Sequence, residues 1–391
     1  MRQMWRWALP LLTALLLMGC EPVEPEPGPD PDPQPEEKIL YSIKSLEEMT
    51  LREKVGQLFN VRPEALNPTS SAKQTAGSPA LTAGFNRYPC GGITLYAANI
   101  KDPGQIVEFT KYLHGLDNYP LLCIDEEGGR VARIGNNSQF TVAKYASMGA
   151  IGDTGDPKYA YMAGDNIGRY LALYGFDVDL APVSDVNTNP ENVVIGDRAF
   201  GSSPQLVADM ASQFLAGLQH NFVEGCLKHF PGHGDTKADT HYGYAESLKS
   251  WNELDTCEMV PFRKGIQSGA RMIMTAHICL PNVTGDTTPS TLSSVILQDK
   301  LRGELGFQGI IISDSMAMGA ITQEYTSEEA AVAALLAGVD IVLDPADYPA
   351  AFEAVVDAVT SGRISQTQLD ERVARILALK KQILQERGQL K

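Results

Sequence analysis

Gly225–His241 reads GCLKHFPGHGDTKADTH. Its start is an apolar strand. Its continuation gathers two lysines, two aspartates and three of the chain's six histidines. So many ionisable side chains cannot enter a core without partners. Pro231, Gly232 and Gly234 shape a turn rather than a helix. The segment therefore reads as a strand that ends in an active-site loop or a metal site.

The same pattern of apolar run and polar end recurs outward from this point. The runs are Val55–Val61, Gly92–Tyr96, Leu121–Asp125, Asp177–Val183, Gly225–Phe230, Met272–Ile278, Gly309–Ser313 and Val339–Leu343. Most are apolar on both faces, as in a parallel sheet covered on both sides. Asp125, Asp185, Lys228, His229, His277, Asp314 and Asp344 stand at or just after their C-terminal ends. Helical patterns lie between and after them: Pro103–Leu116, Lys158–Tyr174, Pro204–Gln219, Trp251–Ser268, Ser293–Glu304, Ser327–Leu336, Tyr348–Thr360 and Gln366–Gln385. Eight strand–helix units predict an α/β chain folded as a single-domain (β/α)8 TIM barrel, with the polar ends on one rim. An open doubly wound sheet is the alternative. The lack of a Gly-rich phosphate loop after the first strand counts against its dinucleotide-binding form.

The N-terminus is of another kind. Residues 1–20 carry Arg2 and Arg6 before an apolar run that ends in Leu17-Met18-Gly19-Cys20. The run is shorter than the ~20 residues that span a bilayer and reads as a signal peptide. Small residues before Cys20 resemble a lipobox, which makes Cys20 the lipidation site. Residues 21–37, EPVEPEPGPDPDPQPEE, are acidic and Pro-rich and read as an extended spacer. Residues 38–391 form the predicted barrel domain. The expected location is the bacterial cell envelope, by a lipid anchor at the periplasmic face or the cell surface. The net charge of −16 without a basic cluster excludes nucleic acid as a partner. Cys90, Cys123, Cys226, Cys257 and Cys279 show no metal-finger spacing and read as free thiols.

Four stretches carry chemistry. In Asp125-Glu126-Glu127-Gly128-Gly129-Arg130-Val131-Ala132-Arg133, carboxylates and guanidiniums flank a Gly-Gly turn and suit a neutral, hydroxyl-rich ligand. Asp125 and Arg133 are the functional candidates; Glu127 and Arg130 are as readily a structural ion pair. Asp314, at the mouth of the apolar run Gly309–Ser313, is a helix cap or a carboxylate nucleophile. Asp239 stands two residues before His241, close enough to orient an imidazole as a general acid/base near neutral pH. Lys228 and His229 would hold substrate hydroxyls, and Arg198 in Gly196–Gly201 would face the rim. His229, His233 and His241 could in principle hold zinc, but no HxH or HExxH spacing appears.

DEEGGRVAR, GDRAFG, KHFPGHG with a downstream D-T-H, and ISDSM, in this order along the chain, resemble the glycoside hydrolase family 3 β-N-acetylhexosaminidases over about Ser45–Leu384. The resemblance implies a retaining exo-β-N-acetylglucosaminidase acting on an oligosaccharide or glycoconjugate, with no cofactor and no metal. It implies Asp314 as nucleophile, His241 paired with Asp239 as acid/base, and Asp125, Arg133, Arg198, Lys228 and His229 as the sugar pocket. His233 belongs to the motif but would only shape the loop. Glu126 stands where the family often has Gln. The glucosidase branch usually carries a second domain with a glutamate acid/base. The chain's end soon after the barrel is read as leaving no room for it. A phosphorylase, a β-glucosidase, a metal-dependent hydrolase and a non-catalytic glycan-binding lipoprotein are the alternatives.

Overall fold

The computed structural model describes residues 39–70, 72–236 and 245–391. Eight parallel strands form one sheet: β1 Phe59–Val61, β2 Gly92–Thr94, β3 Leu121–Ile124, β4 Val178–Asp179, β5 Glu224–Phe230, β6 Met272–Thr275, β7 Ile310–Ser313 and β8 Val342–Leu343. Their order runs β7-β6-β5-β4-β3-β2-β1-β8. The sheet closes where Ile312 bridges Ile341 and the Ser313 amide donates to the Ile341 carbonyl at 2.9 Å. A closed barrel has no free edge, so every strand buries both faces; Ile310, Ile311, Ile312 and Ser313 are all buried. The helices return outside, most opened by Pro at the first turn or by a Ser, Thr or Asp cap: Pro103–His114, Pro157–Leu173, Pro204–His220 and Tyr348–Thr360 among them.

The expected barrel is the observed one, with three local corrections. The run Val55–Val61 is not all strand. Thr50 and Glu53 form a capping box that starts a helix over Leu51–Gln57, which leaves only Phe59–Val61 to the sheet. Of Asp177–Val183 only Val178–Asp179 pairs along the ladder, because Pro182 has no N–H; Val183 rejoins as a single bridge to Lys228. Trp251–Ser268 is two helices, broken at Cys257 (φ −127°, ψ −81°). The break turns Glu258 inward, where it takes Lys249 as partner.

Polar side chains also mark the opposite, N-terminal end of the barrel, where the sequence reading placed none. Asp177 accepts from His114 Nε2 (2.8 Å), Tyr119 Oη (2.9 Å), the Leu122 amide (2.8 Å) and Arg387 Nη1 (2.7 Å). Burial opposes its charge, yet His114 and Arg387 hold its carboxyl at about 2. Asp340 pairs with Arg302 and Arg375, and Glu224 with Arg271. Each acid at this end is tied to an arginine from a surrounding helix or loop, so the cluster ties the outer layer to the barrel.

The C-terminal helix Gln366–Glu386 adds Lys380, fully buried between Gln57 Oε1 (2.7 Å) and the Asn118 carbonyl (3.1 Å). Burial pulls its amine down from 10.5 to about 7. Between those values the unfolded chain holds a proton that the folded chain has released, so this residue makes stability rise with pH. Lys380→Met has no such proton. Denaturant unfolding at pH 7 and pH 10 is therefore expected to show wild type gaining several kcal/mol relative to Lys380→Met across that window. An unchanged difference contradicts the buried, neutral amine.

Candidate active site

The segment after β3 folds on itself before it meets any other strand. Glu126–Gly128 and Val131–Ala132 form a small antiparallel hairpin whose turn uses Gly128 (φ +88°) and Gly129 (φ +63°). The buried Glu126 carboxylate accepts from the amides of Arg133 (2.6 Å), Ile134 (2.9 Å) and Gly135 (2.7 Å) and from Tyr170 Oη (2.8 Å). Glu126 is thus the knot of this loop. It brings Arg133 back over the strand end, where Nη2 donates to Asp125 Oδ2 at 3.0 Å. Arg130 points elsewhere: it donates to the carbonyls of Val193, Val194 and Ile195 and lies 3.5 Å from exposed Asp197.

Lys228, the penultimate inward residue of β5, is buried between two acids. Its Nζ lies 2.9 Å from Asp125 Oδ1 and 2.6 Å from Glu127 Oε1. Arg198 grips Glu127 with two hydrogen bonds, at 2.8 and 2.7 Å, and its Nη2 lies 3.3 Å from His229 Nε2. Burial works against every charge here, but the mutual attraction wins. Lys228 and Arg198 are held above their ordinary values, and Glu127 and Asp125 below theirs.

The loop that follows is organised by Asp185, after β4. Asp185 Oδ2 meets His229 Nδ1 at 2.7 Å, and Oδ1 accepts from the His233 amide at 2.6 Å. Burial opposes the charge of Asp185, and the two histidines outweigh it and lower its carboxyl. His233 is itself pulled down by burial, and its Nδ1 lies 2.7 Å from Thr236 Oγ1. Gly234 is required by space: a Cβ there would lie 2.0 Å from the Val186 carbonyl oxygen. Asp239 and His241 lie outside the described residues, as does Cys20. The chain enters that stretch at Thr236, bonded to His233, and leaves it at Ala245, whose short strand pairs with Ile278–Cys279.

Asp314 follows β7, half-buried, and its Oδ1 accepts from the Ser315 amide at 2.7 Å. Ser315 Oγ donates to Asp344 Oδ2 (3.0 Å), and Arg62 forms a two-pronged ion pair with Asp344. His277 Nε2 donates to the Ser315 carbonyl (3.0 Å), and its Nδ1 lies 2.9 Å from Thr291 Oγ1.

These groups converge on one cavity of about 520 Å³ whose walls include Arg62, Asp125, Glu127, Arg133, Arg198, Lys228, His229, Asp314 and Asp344. That volume suits a small ligand. Asp125, Arg133, Arg198, Lys228, His229 and Asp314 all lie on it, as the sequence reading expected. The sequence reading did not single out Arg62 at all, and it left Glu127 undecided. Arg62 stands directly after the apolar run Val55–Val61, so the strand-end rule that selected Asp314 applies to it equally. Each of the four cations on the wall is paired: Arg62 with Asp344, Arg133 with Asp125, Arg198 with Glu127, and Lys228 with both Asp125 and Glu127. Among the described residues, Asp314 is the acid of this wall that no cation holds. Also among the described residues, no group of three or more His, Cys, Asp or Glu converges to hold a metal ion.

Fold and site together define a (β/α)8-barrel protein with a ligand pocket on the C-terminal rim, where barrel active sites lie. The family model for the glycosyl hydrolase family 3 N-terminal domain matches residues 50–379. The chain belongs to this family. It is 33% identical over 345 residues to β-hexosaminidase A of Pseudoalteromonas piscicida, covering 82% of this chain and 58% of that protein. It is 39% identical over 259 residues to a β-hexosaminidase of Nitrosomonas eutropha, covering 65% of this chain and 73% of that protein. It is similar to the solved structure of a glycoside hydrolase family 3 β-N-acetylglucosaminidase from Paenibacillus sp. str. FPU-7, with TM-score 0.79 and 36% identity, over 86% of this chain and 63% of that one. The chain thus spans less than two thirds of the Pseudoalteromonas and Paenibacillus proteins.

The pairing has a measurable consequence for stability. Glu127→Gln leaves Lys228 and Arg198 buried with one acid fewer, and is expected to cost about 3 kcal/mol or more of unfolding free energy by denaturant titration. A cost below about 1 kcal/mol would mean that Glu127 is not the acid that holds these two cations.

Proposed function

We propose that the chain is a retaining exo-β-N-acetylglucosaminidase that releases terminal β-linked GlcNAc from peptidoglycan fragments, chitooligosaccharides or glycoconjugates. The observation that carries this reading is the unpaired carboxylate of Asp314 in a cavity whose cations are all engaged elsewhere. A carboxylate nucleophile needs a free lone pair with which to attack, and a salt bridge would occupy it and stabilise the resting anion. The names of the three relatives support the choice of sugar.

In this reading Asp125, Arg133, Arg198, Lys228 and His229 hold the hydroxyls of the terminal sugar. Arg133 Nη2, bonded to Asp125, belongs to the same wall. Asp314 attacks the anomeric carbon while His241, oriented by Asp239, protonates the departing oxygen. The C–O bond to the leaving group breaks as the glycosyl-aspartate ester forms. His241, now neutral, takes a proton from water; the water oxygen bonds to the anomeric carbon and Asp314 leaves as carboxylate. Most retaining glycosidases use two carboxyl groups about 5–5.5 Å apart; here an imidazole takes the acid role. The assignment of His241 and Asp239 rests on the D-T-H sequence. Its loop springs from Thr236, next to the pocket-lining His233.

Two variants test the reading on aryl β-GlcNAc and on a disaccharide with a poor leaving group. Asp314→Asn is expected to lose turnover by on the order of 10⁴-fold on both while still binding GlcNAc. His241→Ala is expected to lose about 10²–10⁴-fold on the disaccharide and far less on the aryl glycoside. Wild-type rates in Asp314→Asn reject the nucleophile, and equal losses in His241→Ala reject the acid. Assays with a chelator and with added phosphate separate this reading from a metal-dependent hydrolase and from a phosphorylase.

We also propose that residues 1–20 are a lipoprotein signal, that Cys20 is lipidated, and that residues 21–37 space the barrel from the bacterial membrane. Cys20→Ser expressed from the full sequence is expected to lose incorporation of labelled palmitate and to leave the membrane fraction. Labelling that persists in this variant rules out Cys20 as the anchor.

A further inference from the structure

Asp344 is held in a conformation that its residue type rarely adopts. It closes β8 with φ +48°, left-handed for a residue other than glycine, and its amide donates to the Asn60 carbonyl at 2.7 Å. Such backbone persists where the surroundings enforce it, often at functional sites. Its carboxylate is 3% exposed and faces Arg62, whose Nε donates to Oδ1 at 2.7 Å and whose Nη2 donates to Oδ2. The same Oδ2 accepts from Ser315 Oγ, and the Ser315 amide donates to Asp314. The Arg62 guanidinium is therefore held one residue away from the carboxylate assigned as nucleophile.

We propose that Asp344 is a positioning residue whose work is to keep Arg62 off Asp314. The guanidinium has few other anions to choose from. Asp125 is already shared by Lys228 and Arg133, and Glu127 by Lys228 and Arg198. Glu64, also near Arg62, already accepts from the Gln74 amide (3.1 Å) and Asn99 Nδ2 (2.9 Å), so Asp314 is the acid on this cavity wall left open to an Arg62 released from Asp344. An Asp314 paired with Arg62 stays ionised, but its charge is compensated and its lone pairs are occupied by N–H donors. This makes it a poor attacking group in the same way that pairing makes Asp125 a good structural acid. The inference rests on the reading of Asp314 as nucleophile.

The acid limb of the kcat/KM profile reports ionisation of Asp314 and shows this directly. Among the described residues, the charged or titratable groups that share the cavity wall with Asp314 are Arg62 from the end of β1, Tyr96 from beyond β2, Asp125, Glu127 and Arg133 after β3, Arg198 after β4, Lys228, His229 and His233 on and after β5, and Asp344 from β8. Of these, only Arg62 changes partner when Asp344 loses its charge. The full chain is assayed on aryl β-GlcNAc from pH 4 to 9 as wild type, Asp314→Asn, Asp344→Asn, Arg62→Met and the double variant Arg62→Met/Asp344→Asn. Asp344→Asn is expected to lose at least about 30-fold in kcat, with the acid limb about one pH unit or more lower. The double variant is expected to match Arg62→Met within about threefold, with the limb back at its wild-type position, because Asp344 has nothing to restrain once the guanidinium is gone. That comparison also holds if Asp344→Asn fails to fold, since the double variant buries no unpaired charge. A kcat for Asp344→Asn within threefold of wild type overturns the inference. So does a double variant at least about 30-fold slower than Arg62→Met. Activity in Asp314→Asn would instead sink the nucleophile reading on which it rests.

Discussion

The ammonium of Lys228, buried between Asp125 and Glu127, is the contact on which the rim is built. A lone ammonium could not remain charged there, since burial favours its neutral form. Two carboxylates within 3 Å reverse that preference and hold it above its ordinary value. The arrangement works only as a set. Asp125 brings Arg133 with it, and Glu127 brings Arg198, which reaches His229. One cation on β5 thereby joins β3, the hairpin after it and the loop after β4 into a single polar wall. Such a set contributes little net stability when complete, because desolvation offsets much of the attraction, but it is costly to break at any one member. Its value lies in fixing where five side chains point.

The two ends of the barrel use ion pairs to different ends. At the N-terminal end Asp177, Glu224 and Asp340 are each satisfied by arginines from surrounding helices and loops, and nothing there opens onto the cavity that Asp314 faces. At the C-terminal end the pairs line that cavity, and because Asp125 and Glu127 each take two cations, Asp314 is left over. The chemistry proposed for the site follows from this pairing. The groups that would grip a neutral sugar are pre-organised by one another, and the group that would attack it is left unneutralised.

Much of this was legible before any coordinates. Eight apolar runs, each with polar residues at its C-terminal end, specify a parallel barrel and its rim, because only closure brings those ends together. Asp125, Lys228, His229 and Asp314 are found by that rule alone. The misreadings have local causes. Val55–Gln57 is apolar enough for a strand, but the Thr50/Glu53 capping box makes it helical. The pattern of Trp251–Ser268 continues through Cys257, yet the helix breaks there, where burial of Glu258 beside Lys249 is a tertiary demand. Glu126 and Glu127 are neighbours of identical type in sequence. One knots its own loop and the other anchors two cations, one from a distant strand and one from a distant loop, and no local signal separates them.

By itself, the order of residues determined the strands, the rim to which each polar side chain belongs, and the family motifs. Those depend on periodicity and on short-range chemistry, which act within a few residues. Which carboxylate is paired and which is left free was decided only by the tertiary structure. Arg62 and Asp344 are 282 positions apart, and Lys228 and Asp125 are 103 apart. Ion pairing depends on distance in space, and barrel closure is what turns those separations into contacts of about 3 Å.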